Sequence, residues 1–104
     1  MRENQYQAQL IKKLYERFPG CVVLKNDSAL RQGIPDLTVL WSFTWGMLEV
    51  KISKDAPRQP NQDYYVHEMN EMSYAAVIYP ENEEAVLDEL QQKFEDCWAA
   101  RLPQ

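Results

Sequence analysis

The apolar positions of this chain change their spacing several times, and each change marks an element. From Arg2 to Phe18 the sequence is polar, with Leu10, Ile11, Leu14 and Phe18 recurring at helical intervals. Pro19-Gly20 ends that helix. Cys21-Val22-Val23-Leu24 reads as a short buried strand, and Asn26 to Gly33 (NDSALRQG) as a polar loop. Two further apolar runs, Leu37 to Trp41 (LTVLW) and Met47 to Ile52 (MLEVKI), read as hairpin strands joined by Ser-Phe-Thr-Trp-Gly. After the KDAPRQ loop, Pro60 suits the first turn of a helix whose body runs from Asn61 to about Met72. Tyr74 to Tyr79 (YAAVIY) is a fourth strand, closed by Pro80. A last helix spans about Glu81 to Trp98, with Val86, Leu87, Leu90, Phe94 and Trp98 as its apolar stripe and an acidic start that suits the positive end of the helix dipole. The final RLPQ is expected to fray. The predicted order is αβββαβα: one domain over residues 1–104, a mixed sheet flanked by helices.

One strand does not fit a purely structural role. Leu48, Val50 and Ile52 share one of its faces, while Glu49 and Lys51 share the other. A solvated Glu–Lys pair on a half-exposed strand is the simplest explanation. Against it, the strand lies mid-chain in a small sheet, and hairpin pairing brings Asp36 to the same end. Charges taken out of water cost several kcal/mol unless they are paired or bind metal. A divalent cation between Asp36 and Glu49 would offset that cost, and hard oxygen ligands favour Mg²⁺ or Mn²⁺ over zinc. On the first helix Glu3 lies within roughly 20° of Leu10 and of Leu14 on the helical wheel, with Gln7 close by. Glu3 is then either a further metal ligand or an N-terminal acid favoured by the helix dipole.

Composition narrows the function classes. A chain of 104 residues, 45% apolar and 26% charged, is an ordinary single globular domain. No apolar run approaches the roughly 20 residues that cross a bilayer, and MRENQYQAQL lacks the apolar core of a signal peptide. Cys21 and Cys97 form no CxxC and read as reduced thiols of a cytoplasmic protein, with a single disulfide between them as the second option. No P-loop, Ser-His-Asp set or zinc pattern is present, so neither a nucleotide cofactor nor a membrane partner is expected.

The net charge of −5 disfavours a nucleic-acid partner until its distribution is read. Residues 1–62 carry nine Lys/Arg against six Asp/Glu, and residues 63–104 carry two against ten. Local charge decides where a polyanion docks, so the first half is the basic one. Lys25, Arg31, Lys54 and Arg58 flank the charged strand and are candidates for phosphate contacts, which position a duplex without reading its sequence. His67 stands alone on a helix and reads as a surface residue. Tyr64, Tyr65, Trp41 and Trp45 fit a core or a subunit interface better than base stacking.

Asp36 followed, after a hairpin, by Glu49-Val50-Lys51 resembles the active-site signature of the PD-(D/E)xK nuclease superfamily. More narrowly, the whole chain resembles the virus-type replication-repair nuclease (VRR-NUC) domain in its minimal stand-alone form. The likeness comprises Glu3 near the start of an N-terminal helix, Gly33-Ile34-Pro35-Asp36, Leu48-Glu49-Val50-Lys51, and Gln62 opening the next helix, with Gln59 as the alternative glutamine. It runs from Glu3 into the last helix. The residues are individually common; the set in this order is considerably more specific.

The resemblance implies a restriction-endonuclease-like αβββαβα fold and a metal-dependent DNA endonuclease. Asp36 and Glu49 would ligate Mg²⁺ or Mn²⁺, with the Val50 carbonyl and Glu3 as further ligands. Lys51 would orient the attacking water or offset developing charge, and Gln62 would position the lysine, the water or a phosphate. Such metals activate water and neutralise charge on a reacting phosphodiester. The implied substrate is branched DNA, including Holliday junctions, in DNA repair or phage replication. Cutting two opposed strands implies a homodimer, with the hairpin tip at Phe43 and Trp45 as a subunit contact or a wedge. A monomeric flap or single-strand nuclease is the second reading. A non-catalytic nucleic-acid-binding module of the same fold is the third.

Overall fold

The computed structural model describes residues 1–103; of the RLPQ end expected to fray, Gln104 lies outside the described residues. The elements run α1 (Glu3–Arg17), β1 (Val22–Lys25), β2 (Leu37–Trp41), β3 (Thr44–Val50), α2 (Gln62–Met72), β4 (Ala75–Ile78), a 3-10 turn (Pro80–Asn82) and α3 (Glu83–Arg101). The strands form one mixed sheet in the order β1-β2-β3-β4. The first three are antiparallel neighbours, and β4 returns parallel to β3 through α2. This is the αβββαβα order expected from the apolar pattern.

Helical spacing on α1 translates directly into burial: Leu10, Leu14 and Phe18 are fully buried, and Tyr6 extends the same stripe. They meet Leu37, Val39, Leu48 and Val50 from one face of the sheet and Val86, Leu87, Leu90 and Phe94 from α3. α1 and α3 therefore cover one face. The aromatic rings of Phe18, Trp41 and Phe94 converge at centroid distances of 5.1 to 5.5 Å. Polar ties reinforce the helix pair: Tyr6 Oη and Lys13 Nζ donate to the two oxygens of Glu83 at 2.9 and 2.8 Å. α2 packs on the opposite face and covers only β3 and β4.

Several boundaries differ from expectation for identifiable reasons. The β2–β3 connection is a two-residue turn at Ser42-Phe43, since Trp41 pairs with Thr44. Ser42 has a positive φ of 58° and Phe43 does not, the pattern of a type II′ hairpin turn. Thr44, Trp45 and Gly46 therefore belong to β3 rather than to a loop. Gly46 was expected in the turn, yet its role is close packing: a Cβ there would come within 2.5 Å of Leu90 Cδ1.

The first strand is not buried. β1 is a sheet edge, with Val22 48% and Leu24 46% exposed on the face α2 leaves open. Pro60 lies before α2 rather than in its first turn, because Asn61 takes a left-handed φ of 70° as the residue preceding the helix. α3 begins later than Glu81 because Pro80 opens a 3-10 turn, and it continues past Trp98 to Arg101. Trp98 remains 48% exposed, so the buried stripe of α3 ends at Phe94. Cys21 and Cys97 are both free thiols. No helix among the described residues is long and apolar enough to cross a membrane.

Candidate metal and phosphate site

The β2–β3 pairing sets the position of the charged residues. Leu37 pairs with Leu48, so one step further along the same register Asp36 lies opposite Glu49. Asp36 is held tightly. Its Oδ2 accepts the Val50 backbone N–H at 2.8 Å, and its carbonyl accepts the Asn26 N–H at 2.8 Å. Asn26 Nδ2 also donates to the Pro35 carbonyl at 2.8 Å and to Thr38 Oγ1 at 2.9 Å. Asn26 thus clasps both sides of Asp36 from the far end of the loop. Sequence reasoning passed over it, because its partners are nine to twelve residues away and no local pattern joins them.

Glu49 is 1% exposed, and neither of its carboxylate oxygens receives a hydrogen bond. The half-exposed, solvated Glu–Lys pair is therefore not what the chain builds. Lys51 is also buried, and its Nζ stands 3.4 Å from Glu49 Oε2, longer than a charge-assisted hydrogen bond. Burial and the neighbouring Asp36 push the Glu49 carboxyl up to about 7, opposed by Lys51. Burial likewise raises Asp36, against the pull of the Val50 N–H and of Lys51, while Glu3 adds to the rise. An acidic pair this close in a desolvated site resists carrying two negative charges unless a cation is present.

Glu3 does reach this end of the sheet: its Oε2 accepts the Ile52 backbone N–H at 3.1 Å. That bond anchors the chain as it leaves β3, beside its electrostatic influence on Asp36. The Lys51 backbone N–H continues the β3–β4 pairing by donating to the Ile78 carbonyl at 2.9 Å. The Val50 carbonyl lies between Glu49 and Lys51 at the end of β3. Among the described residues no set of three or more His, Cys, Asp or Glu side chains converges as a metal cage. The donor chemistry here is two carboxylates supplemented by backbone oxygen and solvent, which suits Mg²⁺ or Mn²⁺ because those ions keep several waters. The orphaned oxygens of Glu49 fit such an ion.

Gln62 is the first residue of α2 and is 9% exposed, whereas Gln59 lies outside the helix and is exposed. Gln62 Oε1 accepts the Gln59 N–H at 2.8 Å, which leaves its Nε2 amide free to reach a ligand. Gly33 explains how α2 is brought to Asp36. It has a φ of +90°, and a Cβ there would lie 2.6 Å from the Asn61 backbone carbon. The Gly33-Ile34-Pro35-Asp36 turn is thus pressed directly onto the start of α2.

The four basic candidates divide. Arg31 Nη1 donates to Tyr65 Oη at 3.2 Å, and Arg58 Nε lies 3.5 Å from Asp63 Oδ1. Lys25 ends β1 and Lys54 follows β3; neither forms an ion pair among the described residues. The proposed hairpin wedge is remote from all of these. Phe43 forms the tip, stacks on Trp98 at 5.1 Å and lies 4.6 Å from the Arg101 guanidinium, while Trp45 lies within β3. The strands separate this tip from Asp36 by roughly 17 Å at about 3.3 Å per residue. Trp41 belongs to the core, as expected, but Tyr64 does not: it is 56% exposed on α2.

No protein-family model, curated protein or solved structure matches this chain.

Proposed function

We propose that this chain is a metal-dependent endonuclease of the PD-(D/E)xK type, VRR-NUC-like, with a restriction-endonuclease-like arrangement of its αβββαβα elements. The observation that carries the reading is Glu49: a buried carboxylate whose two oxygens accept no hydrogen bond, facing Asp36 and 3.4 Å from Lys51. In a purely structural role it would bear that desolvation for the Lys51 attraction alone.

Asp36 and Glu49, with the Val50 carbonyl, would hold Mg²⁺ or Mn²⁺, and Glu3 stands next to this set as a further oxygen donor. The ion would supply an activated water and charge neutralisation at the phosphodiester. The chain's own residues do the rest. The Val50 N–H fixes one oxygen of Asp36 and leaves the other to turn inward. Lys51 projects from the same face of the strand as Glu49, so its ammonium offsets negative charge growing on the phosphate. Gln62 offers an amide donor from α2, and Lys25, Arg31, Lys54 and Arg58 supply phosphate contacts around it.

The substrate is branched DNA, including four-way junctions. One chain carries one such site, so a paired cut on opposed strands requires a homodimer with two-fold symmetry. The test is a panel of labelled junction, flap, duplex and single-stranded DNAs with Mg²⁺ or Mn²⁺. Cleavage of branched substrates is expected, lost on chelation and in Asp36→Asn and Lys51→Ala. Undiminished cleavage by Asp36→Asn would overturn the assignment. Sedimentation with and without junction DNA separates a dimeric resolvase from a monomeric flap nuclease.

A further inference from the structure

We propose that Tyr64, backed by Tyr65 and Arg31, is a base-stacking platform, and that the site's substrate therefore carries unpaired nucleotides beside the phosphate to be cut. The inference rests on the nuclease reading for the cut itself, but its geometry is separate. The Arg31 guanidinium carbon lies 5.9 Å from the Tyr65 ring centroid, and its Nη1 donates to Tyr65 Oη at 3.2 Å. The Tyr65 ring meets the Tyr64 ring at 5.0 Å and 76°, an edge-to-face contact. The three groups form a row that starts with a cation and ends on a tyrosine 56% exposed.

The row stands on the two segments that build the candidate site. Arg31 lies in the loop that leads to Asp36, two residues before the Gly33 pressed onto Asn61. Tyr64 and Tyr65 occupy the first turn of α2, which Gln62 opens. Arg31 and Tyr65 have a structural duty, since their contact fastens the loop to the helix. Tyr64 has none of that kind: its hydroxyl makes no hydrogen bond among the described residues, and its ring stays largely in solvent. An edge-to-face neighbour fixes such a ring while leaving aromatic surface for a partner.

A nucleobase is the partner this chemistry suits. Bases stack on aromatic rings regardless of sequence, and a nearby guanidinium engages the phosphate that follows. The bases of an intact duplex are already stacked on one another, so only an unpaired or splayed base can reach Tyr64. Of the acids on this helix, Asp63 is 75% exposed and sits against Arg58, which lessens its repulsion of a phosphate, while Glu68 lies one turn beyond Tyr64.

Fluorescence anisotropy of the 104-residue chain with labelled oligothymidylate and with a blunt duplex, metal chelated, provides the test. Tyr64→Ala is expected to bind the single strand about tenfold more weakly, while Tyr64→Trp retains parental affinity and duplex binding is unchanged. Because Tyr64 is exposed, the thermal midpoint of Tyr64→Ala should stay at the parental value. Equal single-strand affinity of Tyr64→Ala and the parent overturns the inference. The readout involves no cleavage, so the two readings fail separately. A chain that binds through Tyr64 but never cuts refutes the nuclease alone, and a chain that cuts yet ignores Tyr64→Ala refutes the platform alone.

Discussion

At one end of the β2–β3 hairpin, Glu49 and Lys51 are buried beside a part-buried Asp36, and neither oxygen of Glu49 accepts a hydrogen bond; at the other, Trp41 packs between Phe18 and Phe94, and Phe43 stacks on Trp98. The same two strands supply both ends. At the aromatic end every contact lowers the free energy of the fold: rings meet at favourable angles, and Trp41 Nε1 donates to the Pro19 carbonyl at 2.8 Å. At the charged end Glu49 is buried without a hydrogen bond, and the Lys51 ammonium 3.4 Å away is what offsets its charge. Groups desolvated in this way cluster at functional sites. Strain confined to one end of a hairpin, with the other end well packed, is how a small domain can support a site and remain folded.

The comparison is broken most severely by neutralising the Glu49 carboxylate at the charged end. Glu49→Gln should reduce metal-dependent cleavage by three orders of magnitude or more, on the order of 4 kcal/mol of transition-state stabilisation. The same substitution should raise the thermal midpoint of the metal-free protein at pH 8, since it deletes a desolvated charge. Loss of stability on Glu49→Gln would show that the carboxylate is structural.

Phe94→Ala at the aromatic end is the reciprocal change. It should cost about 3–5 kcal/mol in denaturant unfolding, as expected for a buried ring, and leave metal affinity per folded molecule unaltered. A changed metal affinity would mean that the two ends are coupled.

A third prediction concerns pH. The folded-state value of Glu49 lies near 7, above its ordinary 4.5, so the folded chain holds an extra proton between those values. Stability of the metal-free chain should therefore fall as pH rises through that window, by an amount on the order of 3 kcal/mol for this group. Saturating Mg²⁺ or Mn²⁺ should restore it at pH 8, read as a rise in thermal midpoint. A metal-free midpoint that climbs from pH 5 to pH 8 would contradict the assignment of charge to this site.

Gly33→Ala probes the joint between loop and helix. The left-handed φ alone disfavours alanine by roughly 1–2 kcal/mol, and the added methyl would press on Asn61. Lower stability together with weaker cleavage is expected; cleavage at the parental rate would mean that the position of α2 does not matter to the site. The smallest effect belongs to Phe43→Ala. It should cost about 1 kcal/mol or less, for a half-exposed stacked ring, with junction cleavage unaffected. Lost cleavage would bring back the hairpin tip as a wedge.

Much of this arrangement is written locally. The 3.6-residue spacing of Leu10, Leu14 and Phe18, and of Val86, Leu90 and Phe94, names two helices and the stripes they bury. Alternation along β3 separates Leu48 and Val50 from Glu49 and Lys51, and a hairpin between apolar runs places Asp36 beside them. The boundaries were less legible. Ser42 adopts a turn conformation more usual for glycine, and Gly46 serves packing against Leu90 instead of the turn. The exposure of β1 is not legible either, because a run of Cys21-Val22-Val23-Leu24 looks the same at an edge as in a centre.

What the chain determined by itself is which residues share a face, since side-chain direction follows from backbone period alone. What only the tertiary structure decided is which faces are dry and which polar atoms go unpartnered there. Asn26 holding Pro35, Asp36 and Thr38, Gly33 seated on Asn61, and Arg31 bound to Tyr65 all join separate segments of the chain. Desolvation is a property of a surrounding volume, and a one-dimensional pattern carries no record of what fills it.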